Sequence, residues 1–155
     1  MGNSLAKPLN EHCEKLFLKE LEGSEVHQCL PLLQQLYPDL STELLTSRLE
    51  EIKDLNWACV GVFSGINLVG MSGYWINTRL YCGTYLYIDH FIVDAELRVR
   101  GVGTLLMQEL KDIAVRNHCS HICLDTFTGN SQAQYFWAKN RFDIVGFHYV
   151  LANKH

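Results

Sequence analysis

The sequence predicts an α/β fold in which about four helices flank a mixed, mostly antiparallel β-sheet. Two amphipathic helical segments come early in the chain, and three apolar segments rich in β-branched and aromatic residues follow them. Helical and strand-like segments then alternate to the end. The predicted order is β-αα-βββ-α-β-α-β(β), which is typical of one domain built around a single sheet.

The first third of the chain predicts a short strand and two helices. Residues 1–12 are expected to form a loosely ordered leader, and residues 13–155 to form the domain. Residues 16–18 predict the first strand. The helices follow, one from an N-cap at Ser24 to a stop at Tyr37-Pro38 and one starting at Ser41 or Thr42.

The middle of the chain predicts a three-stranded antiparallel meander. Its strands are residues 57–63, 66–76 and 84–93, and Ser64-Gly65 and Cys82-Gly83 are the turn signals between them. The pattern therefore places the most apolar part of the chain in the centre of the sheet.

The last third alternates helices with strands. Apolar residues at helical spacing begin at Val102 and end near Asn117, and residues 130–140 predict a further helix. A short buried strand is expected at residues 121–127. One or two final strands, forming a closing hairpin, are expected at residues 144–151.

Composition excludes several classes of protein. The 155 residues are 48% apolar and 19% charged, which is typical of a globular domain. The formal net charge of -4 offers no basic surface for nucleic acid and weakly favours a cationic substrate. The chain shows no apolar stretch suited to spanning a membrane and no secretory signal, so we expect a cytoplasmic location without membrane partners.

The six cysteines are scattered and form no Cys-x-x-Cys pair, which indicates free thiols in a reducing compartment. Residues 118–123 offer four metal-ligand side chains, but no second pair at matching spacing accompanies them. No metal is expected. A nucleophilic role for Cys82 is also set aside, because no His/Asp partner is evident.

The segment Arg98-Val99-Arg100-Gly101-Val102-Gly103 joins the last strand of the meander to a helix. Amide groups in the first turn of a helix lack intrahelical acceptors, and the helix dipole adds partial positive charge there. The glycines allow a ligand to approach the backbone, arginines can grip phosphate, and Thr104 adds a hydroxyl. The loop alone predicts a phosphate site without naming the ligand.

Two segments together resemble the GNAT superfamily of N-acetyltransferases. Residues 87–106, with Arg98-x-x-Gly101-x-Gly103, are similar to the Gln/Arg-x-x-Gly-x-Gly/Ala motif of that family. Asn130-x-x-Ala133-x-x-Phe136-Trp137 is similar to its second signature, Asn-x-x-Ala-x-x-Phe-Tyr. The resemblance covers roughly residues 14–151, and the predicted order of elements is that of the family.

The resemblance implies that acetyl-CoA is the co-substrate, held in a V-shaped slot beside a strand that carries a β-bulge. The backbone of that strand would pair with the pantetheine arm, and one of its amides, of Phe91 or Ile92, would polarise the thioester carbonyl. The implied cofactor-binding residues are Phe91, Ile92, Val93, Arg98, Val99, Arg100, Gly101, Val102, Gly103, Thr104, Asn130 and Phe136.

The resemblance also suggests where the acceptor amine loses its proton. A lysine-like amine costs roughly 4–5 kcal/mol to deprotonate at neutral pH, so a base or a water relay helps. Asp89 occupies the position where relatives often have a catalytic Glu, and His90 beside it has a better-matched pKa. Because neighbours on a strand face opposite sides, we expect only one to reach the substrate, and we favour Asp89. A purely structural hydrogen bond is the alternative for each.

The chain departs from the family pattern at two positions. Trp137 stands where many relatives have a tyrosine that protonates the CoA thiolate, and an indole N–H cannot serve as that acid. Arg141 stands where a glycine usually ends the helix, so either Asn140 adopts the left-handed conformation or Arg141 contacts the cofactor.

These observations predict an acyltransferase that moves an acetyl group from acetyl-CoA to a primary amine by direct attack on the thioester. The acceptor is a small molecule or a protein or peptide amine, and the first helices, around residues 36–43, are expected to border it. An acyl-CoA-binding sensor with little catalysis is the alternative. Homodimerisation is left open.

Overall fold

The computed structural model describes residues 15–96 and 101–153, so the predicted leader lies outside the described residues. Five strands form one sheet in the order of the chain. Their bounds are β1 Leu16–Leu21, β2 Trp57–Ser64, β3 Asn67–Arg79, β4 Gly83–Val93 and β5 His121–Leu124. The strands β1 to β4 pair antiparallel, and β5 pairs parallel to β4, which confirms the mixed, mostly antiparallel sheet.

The four α-helices end close to the predicted positions, and all but the first also begin there. Their bounds are α1 Leu30–Leu36, α2 Thr42–Lys53, α3 Val102–Arg116 and α4 Ser131–Lys139. The Ser41 hydroxyl caps α2 by accepting a hydrogen bond from the Leu44 amide. Ser24 is not an N-cap: a 3₁₀ helix, Gly23–Cys29, precedes α1, and Glu22 caps it through a reciprocal contact with Glu25.

The sheet separates two apolar layers. Cys59, Met71 and Ile92 pack against α1 and α2 on one face, whereas Val60 and Leu86 pack against α3 on the other. Most side chains of β2 and those of residues 69–74 in β3 are therefore buried, in keeping with their apolar sequence. Within the described ranges, no helix is long and apolar enough to cross a membrane.

A β-bulge interrupts β4 at His90. The pairs Gly73–Asp89 and Met71–Ile92 enclose one residue of β3, Ser72, but two residues of β4. His90 absorbs the extra residue with a φ of 56°, in the left-handed region. This is the bulge that the family resemblance implies.

The end of α4 is a Schellman motif with an arginine in the glycine position. The Arg141 amide bonds the Ala138 carbonyl at 3.0 Å, and the Phe142 amide bonds the Trp137 carbonyl at 3.1 Å. Arg141 has a φ of 66°, whereas Asn140 has a φ of -85°. The suggestion that Asn140 adopts the left-handed conformation is therefore wrong, because this hydrogen-bond pattern places the reversal one residue later.

The predicted closing hairpin is absent from the described residues, where 143–153 contain no strand. The apolar side chains of this segment are 78–96% exposed; they belong to Ile144, Val145, Phe147, Tyr149, Val150 and Leu151. His148 connects the segment to the residue that follows β5, because its Nδ1 lies 2.7 Å from Asp125 Oδ2. The local pattern of side chains predicted a strand, but a strand also needs a neighbouring strand to which its backbone is hydrogen-bonded.

Replacing Arg141 with glycine should stabilise the domain. Glycine adopts the left-handed conformation without a Cβ clash, so Arg141→Gly is expected to raise the free energy of unfolding by about 1 kcal/mol. Urea denaturation measures the change. The matched control is Asn140→Gly, which places glycine at a right-handed position and removes the Asn140 hydrogen bond to the Phe136 carbonyl. The control should destabilise, and stabilisation by both variants would contradict the assignment.

Candidate active site

A slot opens where β4 and β5 part. Their pairing ends at Ile88 and Leu124, but β4 continues beside β3 as far as Val93. Between Asp89 and Val93 the edge of β4 that faced β5 therefore has no paired strand within the described residues. Backbone groups along this edge can bind an extended ligand as a further strand would.

The N-terminus of α3 lies next to the end of this strand. Gly101 is the N-cap with a φ of 79°, and its carbonyl accepts a hydrogen bond from the Leu105 amide. The amides of residues 102–104 precede that first intrahelical bond and carry the positive end of the helix dipole. The first turn contains no acidic residue. Arg98, Val99 and Arg100 lie outside the described residues.

Helix α4 packs against the same region through Phe136. A Cβ added to Gly103 would lie 3.3 Å from the Phe136 ring and 3.6 Å from Val93 Cγ2, so glycine permits this close packing. The Phe136 ring also packs on Phe91, with 5.4 Å between ring centroids. Asn130 caps α4, because its Oδ1 accepts a hydrogen bond from the Ala133 amide at 3.0 Å.

Trp137 lies within a cluster of aromatic rings. Its ring makes edge contacts with Phe91, Phe136 and Phe142 at centroid distances of 5.0, 5.0 and 5.5 Å. The contact with Phe142 is the hydrophobic contact that accompanies a Schellman motif. The indole therefore stabilises the helix end and the wall of the slot.

A family model described as the acetyltransferase (GNAT) family matches residues 26–142. This range includes the slot, the beginning of α3 and all of α4. The chain belongs to the GNAT family of acetyltransferases.

Solved structures with the GNAT fold resemble the chain over most of its length. An aminoglycoside N-acetyltransferase in complex with CoA has a TM-score of 0.78 at 16% identity, covering 91% of this chain and 96% of that chain. A ribosomal-protein-alanine N-acetyltransferase from Brucella melitensis biovar Abortus 2308 has a TM-score of 0.78 at 18% identity, covering 90% and 100%. Glucosamine-6-phosphate N-acetyltransferase from Arabidopsis thaliana has a TM-score of 0.68 at 20% identity, covering 91% and 100%.

At the bulge of this GNAT domain, Asp89 and His90 point into the same pocket. Their side chains are in contact, with His90 Nε2 3.2 Å from Asp89 Oδ2. The expectation that the two side chains face opposite sides of the strand is wrong. Strict alternation of side chains ends where the bulge places His90 in the left-handed region.

Two aromatic residues outside the predicted catalytic pair complete this cluster. The Tyr37 hydroxyl, at the end of α1, lies 3.0 Å from His90 Nδ1. The Trp75 indole N–H donates to Asp89 Oδ2 at 3.0 Å. The sequence places position 37 at a helix stop and at the acceptor border, but it does not indicate the contact with His90, because that partner lies 53 residues away.

Burial is the main cause of the pKa shifts of His90 and Tyr37 in this cluster. Burial lowers the pKa of His90, and the Asp89 carboxylate opposes part of that shift. Burial also raises the pKa of Tyr37, and the negative charge of Asp89 adds to the effect. At neutral pH, His90 is therefore a neutral imidazole beside a protonated phenol.

The cluster forms one end of a pocket of about 490 Å³ between β4, α1 and α2. This volume suits a small-molecule ligand. The pocket lining includes the predicted border residues Tyr37 and Leu40, together with Asp89 and His90. The charged side chains Arg48 and Glu51 of α2 also line it.

The ring of Trp57 packs edge-on against His90, with 6.3 Å between ring centroids. A Cβ added to Gly73 would lie 2.5–2.7 Å from atoms of that indole. Trp57 Nε1 is buried and has no hydrogen-bond partner among the described residues. Gly73 thus makes room for the ring that supports His90.

Gly73→Ala should destabilise the domain by about 1–3 kcal/mol, because the new methyl group overpacks the Trp57 ring. Thermal unfolding measures the effect. Gly146→Ala is the control, since a Cβ at Gly146 meets no atom within 4 Å. Equal stability of the two variants would contradict the packing assignment.

Proposed function

We propose that the protein transfers an acetyl group from acetyl-CoA to a primary amine. One observation supports this most strongly: the unpaired edge of β4 runs from the Asp89–His90 cluster towards the N-terminus of α3. An extended thioester along this edge would present its acyl end to the cluster. Its phosphates would reach the amides at the start of α3, which lack intrahelical acceptors.

In this proposal, each part of the slot binds one part of acetyl-CoA. The backbone of Phe91, Ile92 and Val93 pairs with the pantetheine arm, and an amide of Phe91 or Ile92 polarises the thioester carbonyl. The pyrophosphate binds between Arg98 and Thr104. Asn130 and Phe136 line the pantetheine arm, in addition to their contacts within the protein.

The acceptor amine enters from the pocket between α1 and α2 and meets the Asp89–His90 pair. The carboxylate attracts an ammonium group, and the imidazole is neutral at neutral pH and able to accept a proton. The deprotonated nitrogen attacks the thioester carbon directly, and the C–S bond then breaks to release CoA. The chemistry requires neither a covalent enzyme intermediate nor a metal ligand set.

The alternative function is an acyl-CoA-binding sensor with little catalysis. Trp137 favours it, because the side chain that relatives use as an acid is here a packing residue. CoA thiolate is, however, a fairly good leaving group, so the loss of this acid slows turnover without abolishing it. The Asp89–His90 pair, which a sensor does not need, favours the enzyme.

The function is tested by measuring thiol release from acetyl-CoA with a panel of primary amines. We expect release well above hydrolysis with at least one amine, and mass spectrometry should show that amine acetylated. Asp89→Asn and His90→Gln should each lower kcat while leaving the affinity for CoA unchanged. Tight CoA binding without acetylation across a broad panel would support the sensor.

The phosphate site is tested by placing a negative charge at the start of α3. Thr104 is exposed in the first helical turn, where an acidic residue stabilises a helix but repels a pyrophosphate. Thr104→Glu should therefore weaken CoA binding by about 10-fold or more, measured by titration calorimetry, without loss of thermal stability.

The matched control is Gln108→Glu, which adds the same charge one turn further along α3 at an exposed position. This variant loses its hydrogen bond to Asp112 but should bind CoA almost normally. If Thr104→Glu and Gln108→Glu bind CoA equally well, the pyrophosphate does not lie at the N-terminus of α3.

A further inference from the structure

Both ring nitrogens of His90 lie next to another side chain of the protein. Nε2 faces Asp89 Oδ2 at 3.2 Å, and Nδ1 faces the Tyr37 hydroxyl at 3.0 Å. An amine in the pocket therefore cannot reach a free lone pair on His90 unless one of these contacts breaks. A group that contacts both the amine and the imidazole must carry the proton between them.

The geometry points to Tyr37 as that group: we propose that Tyr37 is a catalytic residue that takes the acceptor's proton and passes its own to His90. This inference rests on the proposed acetyl transfer. In the neutral imidazole, the nearby negative charge of Asp89 favours a proton on Nε2, which leaves Nδ1 to accept the Tyr37 O–H. A lone pair of the Tyr37 oxygen is then available to the pocket, which Tyr37 lines.

The transfer balances without a further reagent. The ammonium N–H bond breaks and its proton moves to Tyr37 Oη, while the Tyr37 proton moves to His90 Nδ1. The imidazolium is stabilised by Asp89, and Trp75 holds that carboxylate in place. When the C–S bond breaks, the second proton of the attacking nitrogen goes to the thiolate. The products are an amide and CoA thiol, and His90 returns its proton to solvent.

The surroundings favour this order of events. Burial and the charge of Asp89 raise the pKa of Tyr37, so the phenol starts as the donor that the relay needs. The charged groups that line the same pocket are Asp89, Arg48 and Glu51, and the two on α2 are exposed to solvent. The Tyr37 and His90 rings also pack edge to face, at 5.8 Å between centroids, which fixes their orientation.

Tyr37→Phe tests the relay, because it keeps the ring and removes only the hydroxyl. We expect kcat to fall about 100-fold with little change in KM or in CoA affinity. The acid limb of the kcat/KM profile, which should lie below the ordinary histidine pKa in the wild type, should disappear. Tyr81→Phe, at the exposed turn between β3 and β4, is the matched control and should retain full activity.

A readout independent of turnover is the tautomer of His90, observed by ¹⁵N NMR. The relay predicts a proton on Nε2 and none on Nδ1 at neutral pH. A proton on Nδ1, or a Tyr37→Phe variant as active as Tyr81→Phe, would overturn the role of Tyr37. If the wild type acetylates no amine, the proposed function fails instead, so the two failures are distinguishable.

The side chains that line the same pocket also indicate the chemical class of the acceptor amine. This second inference likewise rests on the proposed function. Away from Asp89 and His90, the side chains that line it are mostly aliphatic; they are Leu33, Leu40, Leu45, Leu49 and Ile52. A second ammonium group would lie among these aliphatic side chains or reach the exposed Arg48 and Glu51, whose opposite charges give no net attraction. We infer that the acceptor is a monoamine with an apolar body.

Hexylamine and 1,6-diaminohexane test this inference, because they share a chain length and differ by one amino group. We expect kcat/KM to be at least about 10-fold higher for hexylamine, because burying an unpaired charge is unfavourable. Leu40→Gln should reduce the difference in kcat/KM between the two amines. Leu55→Gln, at an exposed position that does not line the pocket, should leave this difference unchanged. Equal use of the two amines, or a preference for the diamine, would overturn the inference.

Discussion

The active-site region depends on one local constraint, the extra residue in β4 at His90. The strand remains bonded to β3 on one side, so the extra residue can be accommodated only by a bulge, and His90 takes the left-handed conformation there. This conformation is costly for a residue with a Cβ, by about 1 kcal/mol or more. The contacts of His90 with Tyr37, Asp89 and Trp57 offset that cost.

The bulge has consequences on both sides of the strand. Pairing with β5 ends two residues before His90, and the unpaired edge that follows is where we propose that the pantetheine arm binds. On the side that faces α1 and α2, the break in alternation puts two consecutive side chains into one pocket. A regular strand would have turned one of them away. The cofactor slot and the proton-accepting cluster therefore both result from the same β-bulge.

Much of the fold could be predicted from the sequence because its signals are local. The turn signals and β-branched runs define β2, β3 and β4, and the apolar period of α3 is read directly from its residues. The acetyltransferase family was also predictable, since its motifs lie in two short segments. The tail after α4 was not: its alternation resembles a strand, yet no partner strand is bonded to it in the described residues.

The chemistry of the site was less predictable, because it depends on three-dimensional contacts that cannot be read from the order of the residues. Asp89 and His90 were identified, but their shared orientation follows from the bulge and not from their spacing. Tyr37 and Trp75 reach the cluster from other elements, 53 and 14 residues away from their partners. Likewise, Arg141 could be recognised as an unusual helix end, but only the hydrogen bonds show which residue reverses the chain.

The central claim is that CoA lies along the unpaired edge of β4 and ends at the start of α3. Amide hydrogen exchange, measured residue by residue with and without CoA, tests it most directly. The account predicts slower exchange at one or more amides of residues 90–93 and at residues 102–104, with little change in β1 and β2. Slower exchange confined to the α1–α2 pocket, or none at β4 and α3, would contradict it.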